Sequence, residues 1–224
     1  MKVLIACEES QRVCSAFRVR GHEAYSCDII DPSGDHPEWH IKRDVLEIIN
    51  GSVAFLTLDG IEHRIDGPWD LIIAHPPCTY LTVTGNRWFN IEKYGDKARE
   101  RIQLREEAKE FFMALANANC ERIAIENPIG VMSTSWRKPD QIVQPWWFGD
   151  PFEKRTCLWL KGLPKLVKTK EVTPEPRVQV SETKTMPAWY NNAYGLSPAE
   201  RSRIRSQTFP GFAEAMATQW GAPT

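Results

Sequence analysis

The 224-residue chain is predicted to adopt an α/β fold, a Rossmann-like doubly wound arrangement with a mostly parallel sheet and helices on both faces. Three observations lead there. Short apolar runs at Val3-Leu4-Ile5-Ala6, Asp70-Leu71-Ile72-Ile73 and Arg122-Ile123-Ala124-Ile125 have the length and composition of buried strands. Helical patterns lie between them, so the order β-α-β-α-β calls for parallel strands joined by crossovers. Finally, a reactive side chain follows two of these runs, Cys78 in Ala74-His75-Pro76-Pro77-Cys78 and Glu126 in Ile125-Glu126-Asn127-Pro128. Carboxyl ends of strands are where open α/β sheets bind ligands.

The elements follow in order. Val3–Ala6 is the first strand. Ser10 is a candidate cap for a helix over residues 11–20, which stops at Gly21. Ala24–Asp28 reads as a second strand, and Asp31–His40 as a polar surface loop, its His36 and His40 included. Asp44 opens a short helix running to Ile49. Thr57–Ile65, around Asp59-Gly60, looks like an inserted hairpin. Tyr94–Asn117 is a long helix with Ile102, Ala108, Phe111, Phe112 and Leu115 as its buried face. Cys157–Leu160 is a late strand. Residues 162–195 hold four prolines and few aliphatic runs, and read as a mobile loop-rich segment. Helices over Pro198–Arg205 and Phe212–Trp220 close the chain. The expected organisation is thus a catalytic domain at 1–161, a loop-rich region at 162–195, and C-terminal helices at 196–224 that pack back on the first domain.

No apolar run approaches the roughly 18 residues of a membrane span. The apolar start runs straight into Glu8-Glu9, unlike a secretory leader. Six cysteines at 7, 14, 27, 78, 120 and 157 form no Cys-x-x-Cys pair. That pattern argues against zinc and a disulfide framework, and points to the cytoplasm. Charge is uneven. Residues 1–150 carry 17 Lys and Arg against 23 Asp and Glu, whereas residues 151–224 carry 11 against 6. A basic C-terminal third can face a phosphate backbone, although a solvated surface has the same composition.

Several residues carry possible chemistry. Cys78, just past a strand and fixed by two prolines, is a candidate nucleophile whose thiol pKa a following turn could lower. Glu126 follows apolar residues; burial would raise its pKa and let it donate a proton to a ring nitrogen. Its bland alternative is a turn cap at Asn127-Pro128. Asp28 ends the second strand, where nucleotide sites place a carboxylate for ribose hydroxyls. Asp44 is a further candidate, for an adenine amino group. Arg87 and Trp88 sit in a polar loop and could touch nucleic acid, whereas Trp146, Trp147 and Trp159 are better explained by core packing. Lys165, Lys168 and Lys170 lie in the loop-rich segment and could follow a nucleic-acid backbone.

At these residues the chain resembles the DNA cytosine-5 methyltransferase family. Pro77-Cys78 is similar to the family's Pro-Cys nucleophile loop, and Glu126-Asn127-Pro128 to its Glu-Asn-Val segment. Arg155, within Glu153-Lys154-Arg155-Thr156-Cys157, matches one arginine of Gln-x-Arg-x-Arg. Leu196-Ser197-Pro198-Ala199-Glu200, with Arg203 and Phe209-Pro210, is similar to Leu-Thr-Pro-Arg-Glu…Arg…Phe-Pro. The resemblance implies transfer of a methyl group from S-adenosylmethionine to carbon 5 of cytosine in DNA. It implies Cys78, Glu126 and Arg155 as catalytic residues, and Ala6, Cys7, Glu8, Glu9, Ser10, Asp28, Asp44, His75 and Pro76 as the cofactor site. The family's glycine-rich first loop is replaced by Ile5-Ala6-Cys7-Glu8-Glu9-Ser10, and its recognition domain by about 30 residues. A rival reading keeps the fold as a DNA- or nucleotide-binding protein without methyl transfer. Another compares His75-Pro76-Pro77-Cys78 with the Asn/Asp-Pro-Pro-aromatic motif of amino-methyltransferases.

Overall fold

A computed structural model describes residues 1–222. Its centre is a seven-stranded, mostly parallel sheet. The chain forms β1 (Lys2–Ala6), α1 (Arg12–Val19), β2 (Glu23–Asp28) and β3 (His40–Lys42), then a hairpin of β4 (Val53–Leu56) and β5 (Glu62–Ile65). β6 (Leu71–Ala74) leads through α2 (Ile91–Tyr94) and α3 (Asp96–Ala116) to β7 (Ile123–Pro128). α4 (Met132–Ser135), β8 (Gln141–Val143) and β9 (Thr156–Lys161) complete the sheet. A second hairpin, β10 (Arg177–Ser181) and β11 (Lys184–Pro187), precedes α5 (Ala188–Asn192), α6 (Pro198–Ser206) and α7 (Pro210–Trp220).

The strand order is β3-β2-β1-β6-β7-β9-β8. β3, β2, β1, β6 and β7 run parallel, and β9 is inserted antiparallel between β7 and β8. The order reverses at β1, which has β2 on one side and β6 on the other; such a switch point opens a crevice at the carboxyl edge.

Strand side chains alternate between two cores. Leu4 and Ala6 face one layer with Phe112 and Leu115 of α3 and with Phe55, Ile65 and Trp69 around the first hairpin. Val3 and Ile5 face the other, with Val13, Cys14 and Phe17 of α1 and Phe212, Met216 and Trp220 of α7. Each fully buried Leu, Ile or Phe contributes about 1.5–3 kcal/mol of transfer free energy. The two faces thus lock helices onto both sides of the sheet and hold its carboxyl edge in place.

Local differences from the sequence expectations have physical causes. Ser10 does not cap α1. Gln11 precedes the helix in a left-handed conformation, and the Glu8 carboxylate accepts from the Val13 and Cys14 amides at 2.7 and 3.1 Å. His40 is not in a surface loop but fully buried in β3, bonded to the Ser26 hydroxyl at 2.9 Å and the Ile30 carbonyl at 3.0 Å. On α3, Ile102 is exposed while Ala98 takes a buried position. Trp159 is core, but Trp146 and Trp147 are only half-buried. Residues 162–195 contain the β10–β11 hairpin and α5 where a loop was expected. Asp44 caps a single 3₁₀ turn over Val45–Glu47 through the Leu46 amide. Among the described residues no helix is long and apolar enough to cross a membrane.

Candidate active site

The register brings the residues just beyond β1 and β6 into one row with a residue inside β7. Ala6 pairs with Ala74, and Ala74 with Ile125, so Cys7, His75 and Glu126 follow side by side. The loops after β1 and β6 and the end of β7 form one wall of a cleft of about 720 Å³. The second hairpin, α5 and α6 form the opposite wall. Cys78 and Glu126, 48 positions apart in sequence, line this same cleft.

Hydrogen bonds clamp the loop after β6 and the end of β7 together. The Asn127 side-chain amide donates to the Pro76 carbonyl at 2.7 Å. The Leu81 and Thr82 amides donate to the Cys78 carbonyl at 3.1 and 3.0 Å, closing a turn after the cysteine. The Val131 amide donates to the Leu81 carbonyl at 2.8 Å, and Thr82 bridges Gly130. Gly130 is required by this approach, because a Cβ there would lie 2.3 Å from the Leu81 oxygen.

Glu126 is buried, and its Oε2 lies 3.2 Å from His75 Nδ1. Burial pushes the carboxyl pKa up. The His75 hydrogen bond, the Lys154 charge and the neighbouring Thr156 hydroxyl together outweigh it, and the net shift is downward. The resting Glu126 is therefore a carboxylate, not the protonated acid expected from its apolar neighbours. Cys78 also departs from expectation. Burial, then the Glu126 charge, pushes its thiol up; Lys154 and, more weakly, Arg205 pull it down. Resting Cys78 is therefore a thiol.

The first loop makes two left-handed bends without glycine, at Cys7 (φ 58°) and Gln11 (φ 56°). Left-handed backbone costs a side-chain-bearing residue roughly 1–2 kcal/mol. Gln11 offsets this with side-chain bonds to the His36 backbone at 2.8 and 3.2 Å. Cys7, Glu8, Glu9 and Ser10 reach the cleft, as do His75 and Pro76. Glu8 is committed to α1, and burial pushes its carboxyl up. Glu9 Oε1 and His75 Nε2 are buried atoms with no hydrogen-bond partner among the described residues. Ala6 is fully buried in β1. Asp28 and Asp44 do not line the cleft; their charges help to raise the thiol pKa of Cys7, after the larger effect of burial. Asp28 itself is pushed up, chiefly by burial.

Other expected residues are placed differently. Arg155 lines the cleft but is exposed, and its charge acts on the Cys157 thiol. Lys154, which the sequence reading passed over, is the cation that acts on both Cys78 and Glu126. Arg87 and Trp88 border a separate hollow with Lys93 and Tyr94. Lys165, Lys168 and Lys170 lie outside the cleft, in a segment that bonds to α7 and packs by Trp146 and Trp147. The Val167 amide donates to Gln219 Oε1 at 2.7 Å and Gln219 Nε2 donates to the Val167 carbonyl at 2.8 Å, and Lys168 pairs with Glu171 over Trp146 and Trp147. Among the described residues no group of three His, Cys, Asp or Glu could hold a metal.

No protein-family model matches the chain, and a search of curated proteins finds no match.

Proposed function

We propose that the protein methylates carbon 5 of cytosine in DNA through a covalent Cys78 adduct, on a Rossmann-like methyltransferase fold. The observation that carries this reading is the meeting of Cys78 and Glu126 in one cleft at the sheet's carboxyl edge. An amino-methyltransferase would leave the buried Glu126 and its His75 partner without a task. The reversed β9 also departs from the all-parallel dinucleotide sheet, which weighs against nicotinamide chemistry.

Each residue has a role in this reaction. Cytosine carbon 5 is a poor nucleophile until carbon 6 is attacked. The Cys78 thiol passes its proton to the Glu126 carboxylate, and the thiolate forms a bond to carbon 6. The electron pair displaced from the 5,6 double bond is taken up as ring nitrogen 3 gains that same proton from Glu126, which His75 holds in place. S-adenosylmethionine, when bound, supplies an electrophilic methyl group for carbon 5. Loss of the carbon 5 proton to solvent and return of the nitrogen 3 proton to Glu126 then re-form the double bond and expel the Cys78 thiolate. Lys154 stabilises the thiolate in both half-reactions. Glu9 offers its unpartnered, buried Oε1 to the cofactor's ammonium, and the cleft's first-loop wall provides the surface for it. In duplex DNA the target base must leave the stack to reach this depth.

One observation favours the rival reading, a nucleotide- or DNA-binding protein without methyl transfer. Glu8 occupies the amides at the start of α1, so those donors are closed to a cofactor carboxylate. A single experiment separates the two. DNA carrying 5-fluorocytosine has no carbon 5 proton to lose, so with S-adenosylmethionine it should trap a covalent adduct at Cys78. Wild type should form it and Cys78→Ser should not. Absence of the adduct, together with no calorimetric binding of S-adenosylmethionine, would leave only the binding protein.

A further inference from the structure

The two walls of the cleft differ in charge. The sheet side presents Glu8, Glu9 and Glu126. The cap side presents cations, and two of them form a pair. Arg201 and Arg205 are one turn apart on α6, hence on one face, and both line the cleft with Ser202 and Ser206 between and beside them. Each guanidinium lies over a tyrosine ring, Arg205 3.9 Å from the Tyr190 centroid and Arg201 5.6 Å from that of Tyr194. Stacking fixes the plane of a guanidinium and leaves its edge N–H groups free. Among the described residues neither guanidinium meets a carboxylate, whereas Arg177 on the neighbouring hairpin is paired with Glu153. Arg203, between them in sequence, is exposed. Burial also opposes the charge on Arg205, a cost that an anionic ligand would offset.

Two planar donors on one helix face, without an internal anion, suit a tetrahedral phosphate, which accepts several N–H bonds at once. Arg205 is close enough to act on the Cys78 thiol. A base seated over Cys78 and Glu126 would therefore bring its sugar phosphate towards α6.

We propose that Arg201 and Arg205 form a phosphate-binding site that holds the sugar phosphate of the cytosine nucleotide entering the cleft. The inference rests on the reading of the cleft as a cytosine-nucleotide site. The chemistry is shared by the phosphomonoester of a free nucleotide and a phosphodiester beside an extruded base in DNA. Lys154 acts on both Cys78 and Glu126, and its effect on the thiol exceeds that of Arg205, so the main cation serving the thiolate is not one of the pair proposed to bind phosphate.

The test is calorimetric binding of deoxycytidine, deoxycytidine monophosphate and a short duplex with one mismatched cytosine, without S-adenosylmethionine. Wild type should bind at least one phosphate-bearing probe roughly tenfold or more tightly than deoxycytidine, since charge-assisted bonds are the strong ones. The R201Q/R205Q variant should lose that advantage and keep its affinity for deoxycytidine. R201K/R205K, which preserves charge and fold but loses the planar fork, should fall between them. Response of the duplex alone assigns the site to a phosphodiester, and of the monophosphate alone to a free nucleotide. The proposal is overturned if deoxycytidine binds as tightly as both phosphate-bearing probes, if no probe binds, or if R201Q/R205Q keeps the phosphate advantage. Should R201Q/R205Q fail to fold, an unchanged phosphate advantage in R201K/R205K together with salt-independent wild-type binding would overturn it equally. A protein that shows the phosphate advantage yet never methylates would refute the methyl-transfer reading and leave this site standing.

Discussion

His75 Nδ1 lies 3.2 Å from Glu126 Oε2 across two neighbouring parallel strands, and both side chains are only 9% exposed. This contact decides the charge of the site. Burial by itself would protonate Glu126, and the imidazole is the first of the groups that reverse it. Because Ala74 pairs with Ile125, the sheet register alone puts His75 next to Glu126.

The pH dependence of stability should reveal this contact. Glu126 has a folded-state pKa below its ordinary 4.5, so its ionisation stabilises the fold above that pH. The contribution is lost as pH falls through the lower, folded value. In His75→Ala the shift should reverse, so the ionised, buried carboxylate would cost stability as pH rises. The difference in unfolding free energy between wild type and variant should therefore widen from about pH 4 to pH 7. Parallel stability curves would show that His75 does not control Glu126.

The thiol offers an independent measure. Glu126 raises the Cys78 pKa and Lys154 lowers it. Glu126→Gln should move the pH midpoint of Cys78 alkylation down, and Lys154→Gln should move it up; Arg155→Gln should leave it in place. Iodoacetamide labelling followed peptide by peptide checks this, with the buried Cys14, Cys27, Cys120 and Cys157 as slow internal references. Glu126→Gln should nevertheless slow methyl transfer by about 10²-fold or more, because an amide cannot pass on a proton.

Gly130 should be intolerant of a side chain. Alanine there puts Cβ 2.3 Å from the Leu81 carbonyl oxygen, and backbone has to move. The Thr82–Gly130 bridge would open and release the turn that follows Cys78. Gly130→Ala should lose roughly 1–3 kcal/mol of stability. It should also lower trapping of the 5-fluorocytosine adduct more than it lowers DNA affinity. A crystal structure of the variant with an undisturbed bridge would refute the clamp.

The parts legible in the sequence are those that depend on local pattern. β1, β6 and β7 are built on the continuous apolar runs Val3–Ala6, Leu71–Ala74 and Ile123–Ile125, and a run buried on both faces has few other solutions. Cys78 and Glu126 could be placed at one sheet edge because each follows such a run. Their ionisation could not be read, since it depends on His75 and Lys154, which reach Glu126 from β6 and from the approach to β9. β3 escaped notice because three residues carry no periodicity and His40 disguises a buried strand as a polar loop. The second hairpin escaped because its strands, Arg177–Ser181 and Lys184–Pro187, are mostly exposed and polar. Lys154 carries no local signal that sets it apart from Arg155: both line the cleft, and only their distances to Cys78 and Glu126 in the fold single out Lys154.

Capping of α1 gives a direct comparison of two neighbouring residues. Glu8 accepts the Val13 and Cys14 amides, while Ser10 makes no capping bond. Glu8→Ala should cost about 1–3 kcal/mol, because two buried amides lose their acceptor. Ser10→Ala should stay within roughly 0.5 kcal/mol of wild type. Chemical denaturation measures both, and an equal loss would restore Ser10 as the cap.

Lys165, Lys168 and Lys170 provide the last comparison, between a composition argument and a spatial one. The basic C-terminal third makes all three natural candidates for nucleic-acid contact. In the fold they are held beside α7 and the Trp146–Trp147 pair, and none lines the cleft. Lys168 has also spent part of its field on Glu171, 2.9 Å away. Exposed pairs of this kind are worth only about 0–1 kcal/mol, so glutamine should not unfold the segment. The triple variant K165Q/K168Q/K170Q should therefore bind a cytosine-containing duplex as wild type does, with the same slope of log affinity against log salt. Each phosphate contact removed would flatten that slope by about 0.9. A flattening approaching three such steps would mean that duplex DNA runs across this face as well as over the cleft. Its bound path would then have to extend from α6 past the end of α7.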